Sequence, residues 1–255
     1  MTEPSILPDL RQRVAIVTGA SEGLGFGIAR AFGELGARVL VTARREDVLR
    51  HARDDLARAG ATVEHCAGSM ADPAHHRELV EVCLDRFGRV DIVVNNAARV
   101  DEGSLLGSPL SEIQETFSTN VFGPIGLVQE AWRRWMRESG GCVVNVSSFG
   151  ALRPREPVDA YGASKASLED VTRRLAAEMA PSVRVNAVAP GLVRTGSLER
   201  IPGTEQQAQL AVWPLRRIGV VDDIAAATVF LASDAAAWIT GQVLRVDGGR
   251  SAALT

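Results

Sequence analysis

Short apolar runs rich in β-branched residues alternate with helix-length amphipathic segments along almost the whole chain, and this alternation restricts the fold more than any other feature. The candidate strands are Arg13 to Thr18, Arg38 to Thr42, Thr62 to Cys66, Val90 to Val94, Cys142 to Val146, Arg184 to Val188 and Gln242 to Val246. Several are apolar without alternation, the pattern of strands covered on both faces. Between them, Val48, Ala52 and Leu56 recur every four residues, as do Leu168, Thr172 and Ala176 beside Val171, Leu175 and Met179, which marks helical stripes. Gly36 and Gly60 stand where left-handed residues end the first two helices. The pattern predicts a doubly wound, seven-stranded parallel α/β sheet with helices on both faces, which binds ligands beyond the carboxyl ends of its strands.

At 255 residues the chain is long enough for one well-buried core. With neither linker nor repeat in view, the expected organisation is a flexible tail at 1–12 and a single domain at 13–255. Twenty-eight basic residues against thirty-one acidic ones leave a net charge of -3, so no basic field exists to attract nucleic acid or an anionic membrane. No stretch approaches the eighteen or more apolar residues of a bilayer span, and the start, MTEPSILPDLRQR, lacks the apolar core of an export signal. A cytoplasmic location is the expectation. Cys66, Cys83 and Cys142, odd in number and widely spaced, read as buried small hydrophobes.

Immediately after the first strand comes Thr18-Gly19-Ala20-Ser21-Glu22-Gly23-Leu24-Gly25, leading into a helical segment at Phe26 to Leu35. Glycines in a strand-turn-helix context let the backbone approach a pyrophosphate, and the helix N-terminus offers unpaired N–H groups. The spacing is GxxxGxG rather than GxGxxG. Together with the strand pattern it points to a Rossmann-type dinucleotide-binding domain; taken alone, the motif could equally be a tight turn. A carboxylate at the end of the second strand would accept bonds from a ribose 2′-OH; the chain instead reads Thr42-Ala43-Arg44-Arg45. Arg44 or Arg45 could fork onto a 2′-phosphate, which favours NADP(H), with NAD(H) as the alternative. Glu22 would oppose that phosphate unless it points away.

The chain has one tyrosine and one lysine: 27 of its 28 basic residues are arginine, and Lys165 follows Tyr161 by four positions. On a helix the two side chains share a face. An ammonium beside a phenol stabilises phenolate and should lower its pKa, making Tyr161 a general acid/base for hydride transfer to a carbonyl. The bland alternative is a surface lysine beside a half-buried tyrosine.

With these motifs in order, the chain resembles the short-chain dehydrogenase/reductase family from about Arg13 to Gly249. The landmarks are TGASEGLG at 18 to 25, NNAA at 95 to 98, Asn120 in TNVFG, Ser148 in VNVSS, Tyr161 with Lys165, RVNAVAPGLVRT at 184 to 195 and ITGQVLRVDGG at 239 to 249. The resemblance implies that Ser148 orients the substrate carbonyl, Tyr161 exchanges the proton, Lys165 tunes Tyr161 and binds the nicotinamide ribose, and Asn120 holds a relay water. It also implies cofactor contacts at Gly19, Ser21, Gly25, Arg44, Asn95, Ala97, Tyr161, Lys165, Val193 and Thr195. Asn95 and Asn186 carry a competing structural role at strand ends. Ser69 stands where the family has an adenine-binding Asp, leaving Ser69 or Asp72 for that contact, and Ala98 replaces a glycine.

No histidine is placed to make Ser148 a nucleophile, and adjacent His75 and His76 diverge by about 100 degrees on a helix, so no metal site is expected. Arg153 and Arg155 could attract an acidic substrate and Trp213 could close a lid within Gly196 to Arg217, or all three could be ordinary surface and packing residues. A homotetramer or homodimer is expected, with the helix from Ser111 to Arg137, carrying Trp132 and Trp135, as one contact face. The expected function is an NADP(H)-dependent carbonyl reductase or alcohol dehydrogenase. The alternatives are an NAD-dependent alcohol or sugar dehydrogenase working oxidatively, and a non-catalytic cofactor-binding regulator.

Overall fold

The computed structural model describes residues 8–152, 158–195 and 213–253. Seven parallel strands run in the order β3-β2-β1-β4-β5-β6-β7. They are β1 (Val14–Thr18), β2 (Arg38–Thr42), β3 (Thr62–His65), β4 (Ile92–Asn95), β5 (Gly141–Val146), β6 (Val183–Pro190) and β7 (Val243–Val246). The helices are α1 (Gly23–Glu34), α2 (Glu46–Arg58), α3 (Pro73–Phe87), α4 (Leu110–Phe117), α5 (Gly123–Ala131), α6 (Arg137–Ser139), α7 (Asp159–Met179) and α8 (Val221–Ala232). The expected strands are all present, each displaced by no more than two residues at either end.

The period-two geometry of β1 divides the core. Ala15 and Val17 pack with α1, α2 and α8, whereas Val14 and Ile16 face the opposite layer, which holds α3, α5 and α7. All five β1 residues are buried, which is why the strand is apolar up to its last residue, Thr18. Complete burial of a side chain such as Phe32 or Leu79 contributes roughly 1.5–3 kcal/mol each. Gly36 and Gly60 follow α1 and α2 at φ +84° and +94°, the left-handed conformation expected of them.

Within the stretch expected as a tail at 1–12, Leu10 is fully buried in the core and its carbonyl accepts the Arg13 N–H at 3.0 Å. The helix expected from Ser111 to Arg137 is interrupted by π-helical turns at Ser118–Phe122 and Trp132–Met136. The first turn carries Asn120 and re-aims it inward, where it ties two elements together. Trp132 and Trp135 pack against the core, so the outward apolar residues of this stretch are Leu110 and Phe122.

Candidate active site

Strand order changes direction between β1 and β4, and a cleft of about 860 Å³ opens at their carboxyl ends. Thr18, the last residue of β1, holds its two rims together. Its hydroxyl donates to the Val94 carbonyl and accepts the N–H groups of Asn96 and Ala97, both at 3.0 Å. Asn96 Nδ2 returns bonds to the carbonyls of Thr18 and Gly19 at 2.9 and 3.0 Å. Gly19 lies at φ +65°, where a Cβ would come 2.7 Å from Ala97 Cα, and one on Gly25 would come 2.3 Å from the Gly19 carbonyl oxygen. The turn therefore closes only with glycine at both positions. At its end α1 begins without a side-chain cap and without an acidic residue in its first turn, leaving its N–H groups for an anion in the cleft.

At the β2 end, Glu22 lies 3.6 Å from Arg45. The carboxylate that threatened to repel a phosphate thus faces one of the two arginines, in an exposed and solvent-screened pair. Arg44 lines the cleft with Gly68 and Ser69. Asp72 is committed elsewhere, since it caps α3 by accepting the Ala74 N–H at 2.9 Å. Ser69 lines the wall while its hydroxyl accepts from the Ala71 N–H at 3.2 Å.

The opposite end is built by β5 and α7. Ser148 accepts the Gly150 N–H at 3.1 Å and is hydrogen-bonded to Tyr161. Tyr161 and Lys165 lie one turn apart on α7, with Lys165 Nζ 5.6 Å from the phenol ring centre. Lys165 is buried and donates to the Val146 carbonyl at 2.7 Å. An ammonium has three donors, so this bond leaves further N–H groups for a ligand. Burial drives the lysine down to about 8. Burial also pushes Tyr161 above its ordinary value, with the Ser148 bond pulling the other way. Lowering of the phenol by Lys165, expected from sequence, is therefore not the leading effect; desolvation is.

Gly19, Ser21, Arg44, Ala97, Ser148, Tyr161, Lys165, Val193 and Thr195 all line the cleft. Gly25, Asn95 and Asn120 do not. Gly25 supports Gly19 from behind. Asn95 points within the sheet, donating to Asn145 Oδ1 at 2.8 Å, and Asn145 in turn donates to Thr172 Oγ1 at 2.9 Å. This chain fastens β4 and β5 to α7, so the structural alternative describes Asn95 better than a cofactor contact. Asn186 likewise ties β6 to the approach to β7, through the Ile239 carbonyl and the Gln242 N–H. Asn120 Nδ2 donates to the Arg99 carbonyl and to Ser164 Oγ, each at 2.9 Å, while Oδ1 accepts the Arg99 N–H at 2.8 Å. Its side chain is a clamp behind the cleft wall.

Sequence reasoning passed over Thr18, Asn96 and Ser147. Ser147 is buried and donates to Glu169 Oε1 at 2.8 Å. Their signal was position: each is a polar residue at or just beyond the carboxyl end of a central strand. Of the residues considered for the substrate end, Trp213 is buried, whereas Arg153, Arg155 and the segment 196–212 lie outside the described residues. Among the described residues no helix is long and apolar enough to cross a membrane.

Residues 19–251 match the family model described as enoyl-(acyl carrier protein) reductase. A short-chain dehydrogenase/reductase of Arabidopsis thaliana is 37% identical over 94% of this chain and 95% of its own. A 3α-hydroxysteroid dehydrogenase of Mediterraneibacter gnavus is 34% identical over 94% and 97%. Among solved structures, a 7α-hydroxysteroid dehydrogenase complexed with NADH and 7-oxo glycochenodeoxycholic acid superposes with a TM-score of 0.91 at 30% identity, covering 98% of this chain and 97% of that one. The chain belongs to the short-chain dehydrogenase/reductase family of NAD(P)-dependent oxidoreductases.

Proposed function

We propose that the protein is an NADP(H)-dependent carbonyl reductase or alcohol dehydrogenase that interconverts a ketone and a secondary alcohol. The observation that carries this reading is the hydrogen bond between Ser148 and Tyr161 in one cleft with the Lys165 ammonium. A nicotinamide cofactor held in the cleft would supply or accept the hydride. Tyr161, kept protonated by burial, gives its phenolic proton to the oxygen of the reduced carbonyl and recovers one in the oxidative direction. Ser148 holds that oxygen in line with the phenol. Lys165, rooted at the Val146 carbonyl, keeps spare N–H groups for the ribose hydroxyls and favours the phenolate that Tyr161 becomes after transfer. Asn120 serves the site as a positioning residue through Ser164, whose hydroxyl donates to the Tyr161 carbonyl at 2.7 Å.

The preference for NADP(H) rests on the pairing of Glu22 with Arg45, which leaves Arg44 for a 2′-phosphate. An NAD-dependent enzyme working oxidatively is the second reading, favoured by the NADH in the similar 7α-hydroxysteroid dehydrogenase. The hydroxysteroid dehydrogenases among the relatives support a cyclic secondary alcohol or ketone as substrate. Exposed Leu110 and Phe122, with the fully exposed Trp238, support self-association into a dimer or tetramer, which light scattering tests; a monomeric mass rejects it. For the reaction, an NADPH-oxidation screen over ketones and aldehydes is the test, with a Tyr161→Phe control. Turnover retained in that variant overturns the mechanism.

A further inference from the structure

A second cavity, of about 690 Å³, lies at the edge strand β3 and is lined by Cys66, Glu78 and His65 together with Glu46, Glu64, Asp85 and Arg86. One ligand atom each of Cys66, His75 and Glu78 lies within 4.8 Å of the other two. We propose that these three side chains bind a single divalent cation of the zinc class, a site distinct from the hydride-transfer centre.

The donor set fits such an ion. A thiolate and an imidazole select a borderline-soft cation over calcium or magnesium, and a carboxylate completes a charge balance of two negative ligands against two positive charges. The geometry is prepared without the metal. His75 Nδ1 faces Glu78 Oε2 at 3.1 Å, while its Nε2 is engaged with Thr42 Oγ1 at 2.8 Å. A carboxylate only accepts, so Nδ1 carries the ring proton toward Glu78 here; a bound ion would take that place, the ring proton would move to Nε2, and donation from Nε2 to Thr42 Oγ1 would then fix the tautomer with Nδ1 aimed at the metal. Gly68 secures this placement, because a Cβ there would fall 2.2 Å from His75 Nδ1.

Access and the remaining position are also provided. Cys66 and His75 are buried, but Glu78 is half exposed and opens on the cavity, so a cation can enter and a water can complete a tetrahedron. Glu46, Glu64 and Asp85 outnumber Arg86 around the entrance and favour a cation there. On binding, the Cys66 S–H bond breaks, its proton passes to solvent and a sulfur–metal bond forms, with no change of oxidation state. His76 takes no part: it turns to the Met70 carbonyl at 2.9 Å. The two histidines diverge as adjacent helical residues should, but His75 finds its companions in Cys66 and Glu78.

The test uses the full-length, tag-free protein stripped with a chelator and titrated with Co²⁺. The expected result is a near-ultraviolet thiolate-to-cobalt band that saturates at one equivalent and is displaced by Zn²⁺. Cys66→Ser should lose the band and Cys83→Ser should keep it. Glu78→Gln, at a surface-reaching position, should keep the band and weaken Zn²⁺ binding about tenfold or more in competition with a chromophoric chelator. Absence of a band in the wild type, its survival in Cys66→Ser, or unchanged Zn²⁺ affinity in Glu78→Gln overturns the proposal. The last variant keeps the test decisive if Cys66→Ser does not fold. None of these readouts depends on turnover, so failure here is separable from failure of the proposed reaction.

Discussion

Lys165 donates to the Val146 carbonyl at 2.7 Å, so the ammonium of the active-site helix is anchored on the last residue of the strand that presents Ser148. Its burial has a thermodynamic signature. The folded-state pKa of about 8 lies below the ordinary 10.5, so above pH 8 the unfolded chain binds more protons at this group than the folded one, and stability rises with pH. The thiols of Cys66, Cys83 and Cys142, raised by burial, act in the opposite sense over the same range, so the lysine's contribution is read as a difference between two proteins. From about pH 8 to 9, denaturant unfolding of the cofactor-free enzyme should gain about 1 kcal/mol relative to Lys165→Met. Parallel pH dependence in the two proteins refutes the assignment.

The single tyrosine turns phenolate absorbance into a direct titration of the proton-transfer group. In the cofactor-free protein its midpoint should lie above 10, and Ser148→Ala should move it higher by removing the bond that pulls it down. The same variant should lower kcat about a hundredfold through loss of a carbonyl-orienting hydrogen bond, with the KM for cofactor little changed. A midpoint that falls in Ser148→Ala contradicts the account.

Arg44→Ala should weaken NADPH binding by roughly ten- to a hundredfold, the effect of removing a charge-assisted bidentate contact. NADH affinity should change by less than about threefold. Fluorescence titration of the two cofactors measures both. Equal losses would assign Arg44 to the shared part of the molecule, and tighter binding of NADH than NADPH to the wild type would defeat the preference itself.

Asn95→Ala breaks the chain through Asn145 to Thr172 and leaves Asn145 Oδ1 without its donor. The cost should be about 1–3 kcal/mol of stability with cofactor affinity unchanged, as read from a denaturation midpoint beside a binding titration. A selective loss of cofactor affinity with normal stability would return Asn95 to the cleft.

The strands were legible because burial on both faces leaves little choice but continuous β-branched runs, and a run such as Val14–Thr18 declares both its type and its ends. The glycines at 19 and 25 were legible because a close turn tolerates little else. Less visible were side chains whose direction depends on an extra residue in a helical turn, as at Asn120, or on cross-strand geometry, as at Asn95. Neither register across a sheet nor a π-turn is written in local composition. The Cys66, His75 and Glu78 cluster escaped for a related reason: the chain just beyond β3 must pack on α3 before the thiol and imidazole, nine positions apart, come within reach of each other.

An arginine-rich surface without lysine has a consequence for the chemistry that the molecule can suffer. Acylating and carbonylating agents that modify most proteins at many points find here only the chain's amino terminus and one amine, sealed at 1% exposure inside the cleft. Near pH 8 that amine is about half unprotonated and hence nucleophilic. Slow covalent capture at Lys165 would count the openings of the cleft, one molecule at a time.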